Sequence, residues 1–209
     1  MFQKVTLDHK VFIKPRLFSK NDYNAIVTAL SEIYGNKVVP ELGLCVSIDR
    51  LLKVGDRIVP QSGDGSYEVA VTFSAYFFCP FIGEIIEGNI SGMTSESVKV
   101  SLGFFDDISV PKSLLPGNTV FDEVEQVFVW NVDEDIQFRI ETGLKVWIRV
   151  KEIKFKSAAT SDDSTEPVMS IRASMDESGL GAPSWWLEGE DQAEAEEDDV
   201  EDGEEESDE

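Results

Sequence analysis

The 209-residue chain carries 41 Asp and Glu against 18 Lys and Arg, a net charge of -23, so bulk attraction to phosphate does not explain how it works. Residues 188–209 supply -15 of that charge with no Lys or Arg, leaving -8 for residues 1–187; such a run repels itself, buries nothing and is expected to be disordered. Hydrophobic residues at 42%, with thirteen Phe and four Trp, exclude a chain without a core, and two Cys exclude a disulfide-stapled scaffold.

Cys45 and Cys79 each sit in an apolar run and read as buried, reduced thiols, which points to a reducing compartment. The amino terminus, MFQKVTLDHK, has no apolar stretch of signal-peptide length, and no run of about eighteen uncharged apolar residues occurs. Neither export nor a membrane span is expected.

The first element is a strand. Phe2, Val5, Leu7, Val11 and Ile13 alternate imperfectly until Pro15, where a loop is expected. A helix follows, with Ser19 and Asp22 as a shortened capping box, Tyr23, Ile26, Val27, Leu30, Ile33 and Tyr34 at helical spacing, and Gly35 as the stop. ELGLCVSIDRLL, DRIVP and SYEVAVTFSAYFF then read as three strands, with Asp64-Gly65 turning between the last two. The expected first domain, residues 1–79, is one helix packed on an antiparallel sheet. No Lys-Ser or Lys-Thr and no helix follow SGDG, so it is read as a turn and not as a phosphate cradle.

From Pro80 the helical signal fades. FIGEIIEGNISGM, SVKVSLGFFDDISVP, EQVFVWNV, IQFRIE and LKVWIRVKEIKF read as about five strands, the pattern of a small barrel of the OB type. A polar stretch, SAATSDDSTEP, is expected as an insertion near 157–167 before a last strand, VMSIRASM. The second domain is set at residues 80–187 and the acidic tail at 188–209.

Few residues suit catalysis. Asp106 and Asp107 are adjacent, so on a strand they face opposite ways and share neither a proton nor a metal. His9 is the only histidine, with no Cys or Ser partner nearby in sequence, so zinc sites and triads have little to build on. No cofactor is implied. In LGFFDDISVP, Gly103 permits a bend and the two phenylalanines divide between core and surface, or one of Phe104 and Phe105 is a stacking platform for an unpaired base.

LKVWIRVKEI carries the sharper binding signal. Val146, Ile148 and Val150 fall on one face, while Lys145, Trp147, Arg149 and Lys151 fall on the other, with Arg139 on the preceding strand as an extension. Cations around an aromatic ring suit single-stranded nucleic acid; Trp147 equally suits packing against the first domain or a partner chain. Residues 80–156 hold eight Lys or Arg against thirteen Asp or Glu, so such contact is expected to be local, weak and salt-sensitive.

FFCPFIGEIIEGNISGM, VSLGFFDDISVPKSLL, FDEVEQVFVW and a terminal GLGAPSWW, after a helix-on-sheet domain, resemble the larger stalk subunit of eukaryotic RNA polymerases. The resemblance is to the RNA polymerase III version, counterpart of the archaeal E-prime stalk protein, and covers nearly all of residues 1–187. It implies a nuclear, non-catalytic subunit that pairs with a smaller helical protein, meets initiation factors at small-RNA genes and presents its barrel to nascent single-stranded RNA. It also implies docking on the polymerase core through a tip built from Lys14, Pro15, Arg16 and Leu17 and from the turn Gly63, Asp64 and Gly65, all read as loop residues. Trp185 and Trp186 are either a clamp on the barrel or a partner contact. The acidic tail departs from the family pattern. It motivates one alternative, a chaperone of basic proteins, and the barrel motivates another, an independent RNA-binding factor.

Overall fold

The computed structural model describes residues 1–60, 65–133, 136–156 and 167–187. Gly63, Asp64, the polar stretch 157–166 and the acidic run 188–209 lie outside the described residues. The chain divides into two compact units, Met1–Phe81 with Lys154–Met169, and Ile82–Ile153 with the described residues from Ser170 onward.

In the first unit, strand β1 (Phe2–Ile13) is followed by a 3-10 turn at Pro15–Leu17, helix α1 (Asp22–Tyr34), β2 (Val38–Val39), β3 (Gly43–Ile58) and β4 (Tyr67–Phe78). The strands form an antiparallel sheet in the order β1-β4-β3-β2. Alternation puts Val69, Val71, Phe73, Ala75 and Phe77 of β4 on one face, where they pack with Ala25, Ile26, Ala29 and Leu30 of α1. Buried Cys45 joins this core, and burial pushes its thiol above the usual range. His9 Nδ1 lies 3.0 Å from the Tyr34 hydroxyl, so the only histidine ties β1 to the end of α1.

The helix begins later than the Ser19 capping box implies. The Lys20 N–H still bonds to the Leu17 carbonyl, so residues 19 and 20 finish the 3-10 turn. Asn21 is the cap instead, its side chain accepting the Asn24 N–H at 2.8 Å. At the other end Gly35 is the cap residue, and its N–H bonds to the Ser31 carbonyl. ELGLCVSIDRLL and DRIVP also prove to be one strand. β3 has sixteen residues and meets the twelve of β4 through register shifts at 45/47, 48/50, 51/53 and 54/57. Bulges carry the ladder through Lys53, Val54 and Gly55, the residues left between the two segments in the sequence reading.

The second unit contains β5 (Ile85–Thr94), β6 (Ser97–Ser101), β7 (Ile108–Pro111), β8 (Thr119–Asp122), β9 (Val127–Asn131), β10 (Gln137–Ile140), most of β11 (Lys145–Phe155) and of β12 (Met169–Ser174), and a single helical turn, α2 (Ser184–Leu187). Strands β5, β6, β7, β12 and β11 close into a barrel in that order. The β7–β12 pair is parallel, with Ile171 opposite Ile108; β5, β6, β7 and β5, β11 pair antiparallel. This is the five-stranded OB-type barrel, but three of the five segments read as its strands prove different. SVKVSLGFFDDISVP is a hairpin of β6 and β7, and β9 and β10 leave the barrel to form a three-stranded sheet with β8. The closing strand is β12, the VMSIRASM segment.

Polar groups make the hairpin. Gly103 has a φ of 84°, its N–H bonds to the Ser101 hydroxyl at 2.9 Å, and that hydroxyl donates to the Asp106 carboxylate. The Asp107 carbonyl accepts the Ile171 N–H at 2.9 Å and so starts the parallel ladder. Burial, followed by the neighbouring Asp106, pushes the Asp107 carboxyl up. The adjacent aspartates therefore have architectural roles, one in the turn and one at the barrel seam.

Candidate nucleic-acid interface

Val146, Ile148 and Val150 are fully buried in the barrel. The two-residue period of β11 therefore turns Lys145, Trp147, Arg149 and Lys151 outward together. Trp147 is 39% exposed, enough to offer an edge or face to a base. Two carboxylates hold this row. Glu87 on β5, directly opposite Trp147, pairs with Lys145 at 2.7 Å and accepts the indole N–H at 3.3 Å. The Lys145 ammonium, then the Trp147 indole, holds the Glu87 carboxyl below the usual range. Glu177 lies 3.1 Å from Arg149 and 2.9 Å from Lys151.

Arg139 does not extend the row. It stands on β10 in the three-stranded sheet, paired with Glu125 at 2.6 Å, whereas the barrel neighbours of β11 are β5 and β12. The two phenylalanines divide: Phe104 is 43% exposed and Phe105 is 5% exposed. Phe105 is core, so it is unavailable for stacking on a base.

GLGAPSWW forms the end of a strap. Gly181 and Trp147 exchange backbone hydrogen bonds at 2.8 Å in both directions, and Met175 bonds back to Leu114. Trp185 packs on Trp130 of β9 and Phe138 of β10 at ring distances of 5.2 and 5.8 Å. The Trp186 indole donates to the Leu180 carbonyl at 3.0 Å. The paired tryptophans thus clamp within their own unit, and the strap joins β11 to the three-stranded sheet. Glu87 and Glu177 were not singled out in the sequence; their part depends on cross-strand register and on the strap's path.

In the first unit, the residues assigned to a docking tip separate. Leu17 is buried with the core of α1 and the sheet. Lys14 and Pro15 enter the 3-10 turn, and Arg16 is exposed and paired with Glu32 at 2.6 Å. A Cβ at Gly65 would lie 3.3 Å from the Pro15 ring, so the hairpin end and the 3-10 turn are neighbours. Beside them Phe18 stacks on Tyr67, and Arg57 covers the same ring while pairing with Asp22.

Both units have counterparts among known proteins. Residues 84–186 match the family described as RNA polymerase III subunit Rpc25. Residues 8–65 match the SHS2 domain found in the N terminus of Rpb7p/Rpc25p/MJ0397. The chain is 34% identical over 202 residues to DNA-directed RNA polymerase III subunit RPC8 of Saccharomyces cerevisiae, covering 84% of this chain and 95% of that protein. It is also 34% identical over 202 residues to RPC8 of Bos taurus, covering 89% and 98%. Archaeal similarity is fainter, 25% over 129 residues to DNA-directed RNA polymerase subunit Rpo7 of Sulfolobus acidocaldarius, covering 62% and 70%. With both units matched and the RPC8 relatives covered almost end to end, the protein belongs to the Rpc25/RPC8 family of RNA polymerase III subunits.

Proposed function

We propose that the protein is the non-catalytic larger stalk subunit of nuclear RNA polymerase III, paired with a smaller helical subunit and supporting initiation at small-RNA genes together with initiation factors. The observation that carries this reading is the 34% identity to RPC8 over 84% of the chain, because it spans both the helix-on-sheet unit and the barrel. The first unit docks on the polymerase core through Lys14, Pro15, Arg16 and residues 63–65. Rigidity supports that role: the 3-10 turn and the Arg16–Glu32 pair set the loop before any partner arrives, which lowers the ordering cost of binding. Leu17 is left out because it is core.

The barrel contacts nascent RNA through Trp147 and the cations beside it, with exposed Phe104 as a second stacking group. Such contact is weak, since every cation of the row has an acidic partner, and the polymerase supplies the local RNA concentration. The test is affinity purification of the tagged full-length chain from nuclear extract, with mass spectrometry of the recovered proteins. The expected result is one small helical protein in equal amount plus the large catalytic subunits of polymerase III. Histones or ribosomal proteins without polymerase, lost when residues 188–209 are deleted, would overturn the reading in favour of a chaperone.

A further inference from the structure

One carboxylate spans two cations on β11. Glu177 Oε2 faces Arg149 Nη2 at 3.1 Å and its Oε1 faces Lys151 Nζ at 2.9 Å. Arg149 and Lys151 are two residues apart on one strand, so their head groups project from the same face. The backbone around Glu177 is fixed on both sides, by Met175 bonding to Leu114 and by Leu180 and Gly181 bonding to Glu177 and Trp147. The Arg149 Nε is buried with no hydrogen-bond partner among the described residues, so packing holds that end of the guanidinium. Thus a rigid strap delivers two anionic oxygens to two positioned cations beside an exposed indole. A phosphodiester also presents two anionic oxygens on one centre, so it meets the same pair in the same way.

We propose that Arg149 and Lys151 form a phosphodiester site for single-stranded RNA, and that Glu177 is its intramolecular occupant, displaced when RNA stacks on Trp147. The proposal rests on the reading of β11 as an RNA-facing strand. It accounts for a stacking residue that is exposed while the cations beside it are already paired. Glu177 sets a threshold: a lone phosphate gains little by replacing a carboxylate, whereas a strand that also stacks on Trp147 gains the stacking free energy. The site therefore selects polymeric single strands over free anions.

The test is fluorescence anisotropy of a fluorescein-labelled single-stranded oligouridylate with the full-length chain, across a salt series. Glu177→Gln removes the occupant's charge, and releasing two half-exposed pairs is expected to tighten binding about three- to ten-fold at low salt. New phosphate contacts at Arg149 and Lys151 should steepen the dependence of log affinity on log salt by roughly one. Glu123→Gln, in the turn between β8 and β9, makes the same change in net charge elsewhere; an equal gain there would overturn the proposal. Adding Arg149→Gln and Lys151→Gln to Glu177→Gln is expected to abolish the gain. Thermal melting followed by tryptophan emission verifies each fold. Should Glu177→Gln fail to fold, Glu177→Asp, too short to span both cations, is expected to give a smaller gain in the same direction. If the wild type binds through Trp147, as Trp147→Ala would reveal, but Glu177→Gln binds no tighter, the occupant idea fails and the RNA reading stands. If neither binds at low salt, the RNA reading fails and the phosphodiester site with it.

Discussion

Replacing Gly181 with Ala is expected to release the strap from the barrel. Gly181 has a φ of 85°, and a Cβ there would lie 2.1 Å from Cζ3 and 2.6 Å from Cε3 of Trp185. The backbone conformation alone costs an alanine about 1–2 kcal/mol. The collision adds a larger penalty, because the Trp185 indole must leave its contacts with Trp130 and Phe138, each worth about 0.5–1.5 kcal/mol. Together these give about 3–4 kcal/mol, and for a unit of roughly this size a fall in Tm on the order of 15–25 °C. The assay is denaturant and thermal unfolding by tryptophan emission. Trp130, Trp147, Trp185 and Trp186, the four tryptophans of the chain, all lie in the barrel unit, so emission reports that unit alone. A cycle with Trp185→Ala separates the causes: without the indole, Gly181→Ala should cost only its backbone share. A loss below about 1 kcal/mol with unchanged emission would refute the reasoning, since typical domain stabilities make a 3 kcal/mol loss easy to see.

Three further outcomes are expected. Asn21→Ala removes the side-chain acceptor for the Asn24 N–H and should destabilise the first unit by about 1 kcal/mol, read by far-UV circular dichroism with the tryptophan transition unmoved. Asp49 receives Lys4, Arg50 and Ser74, and the Lys4 bond first among these holds its carboxyl below the usual aspartate range. Because the folded pKa is depressed, its stabilisation is present above the ordinary aspartate range and lost as pH falls through and below it, so Asp49→Asn should flatten the acid limb of the pH–stability curve. Truncation after Leu187 removes fifteen carboxylates and should tighten oligonucleotide binding at low salt; the difference should vanish at high salt, as screening requires.

Much of the architecture was readable where one physical pattern ran without interruption. The periodicity from Tyr23 to Tyr34 located α1, and the alternation of Val69, Val71 and Phe73 located β4 with its buried face. β11 was equally plain, with valine and isoleucine inward and charge outward. The reading failed where a decision depended on partners distant in sequence. Nothing in EQVFVWNV or IQFRIE says that the two pair with each other, that the first also pairs with Thr119–Asp122, and that both leave the barrel, because a strand's apolar face is the same in either sheet. Lys53 to Gly55 fell between two expected strands because a bulge and a turn share a composition. The candidate interface divided similarly: alternation gathered its cations and indole, but Glu87 needed the β5–β11 register and Glu177 needed the path of the strap. Phe104 and Phe105 could be separated into surface and core only by the turn at Gly103.

The parallel pair at the barrel seam fixes an order of events during synthesis. β7 waits for β12, with Ile108 opposite Ile171, before its second edge is covered. The sheet of the first unit is complete once Phe78 has emerged, so that sheet can assemble while β5, β6 and β7 still expose an open edge. A chain stopped between Pro111 and Met169 carries that edge permanently, with the outer side of β7 unpaired and the strap missing. Such fragments should be drawn to chaperones or aggregate, and late nonsense mutations should act through loss of the protein instead of partial function.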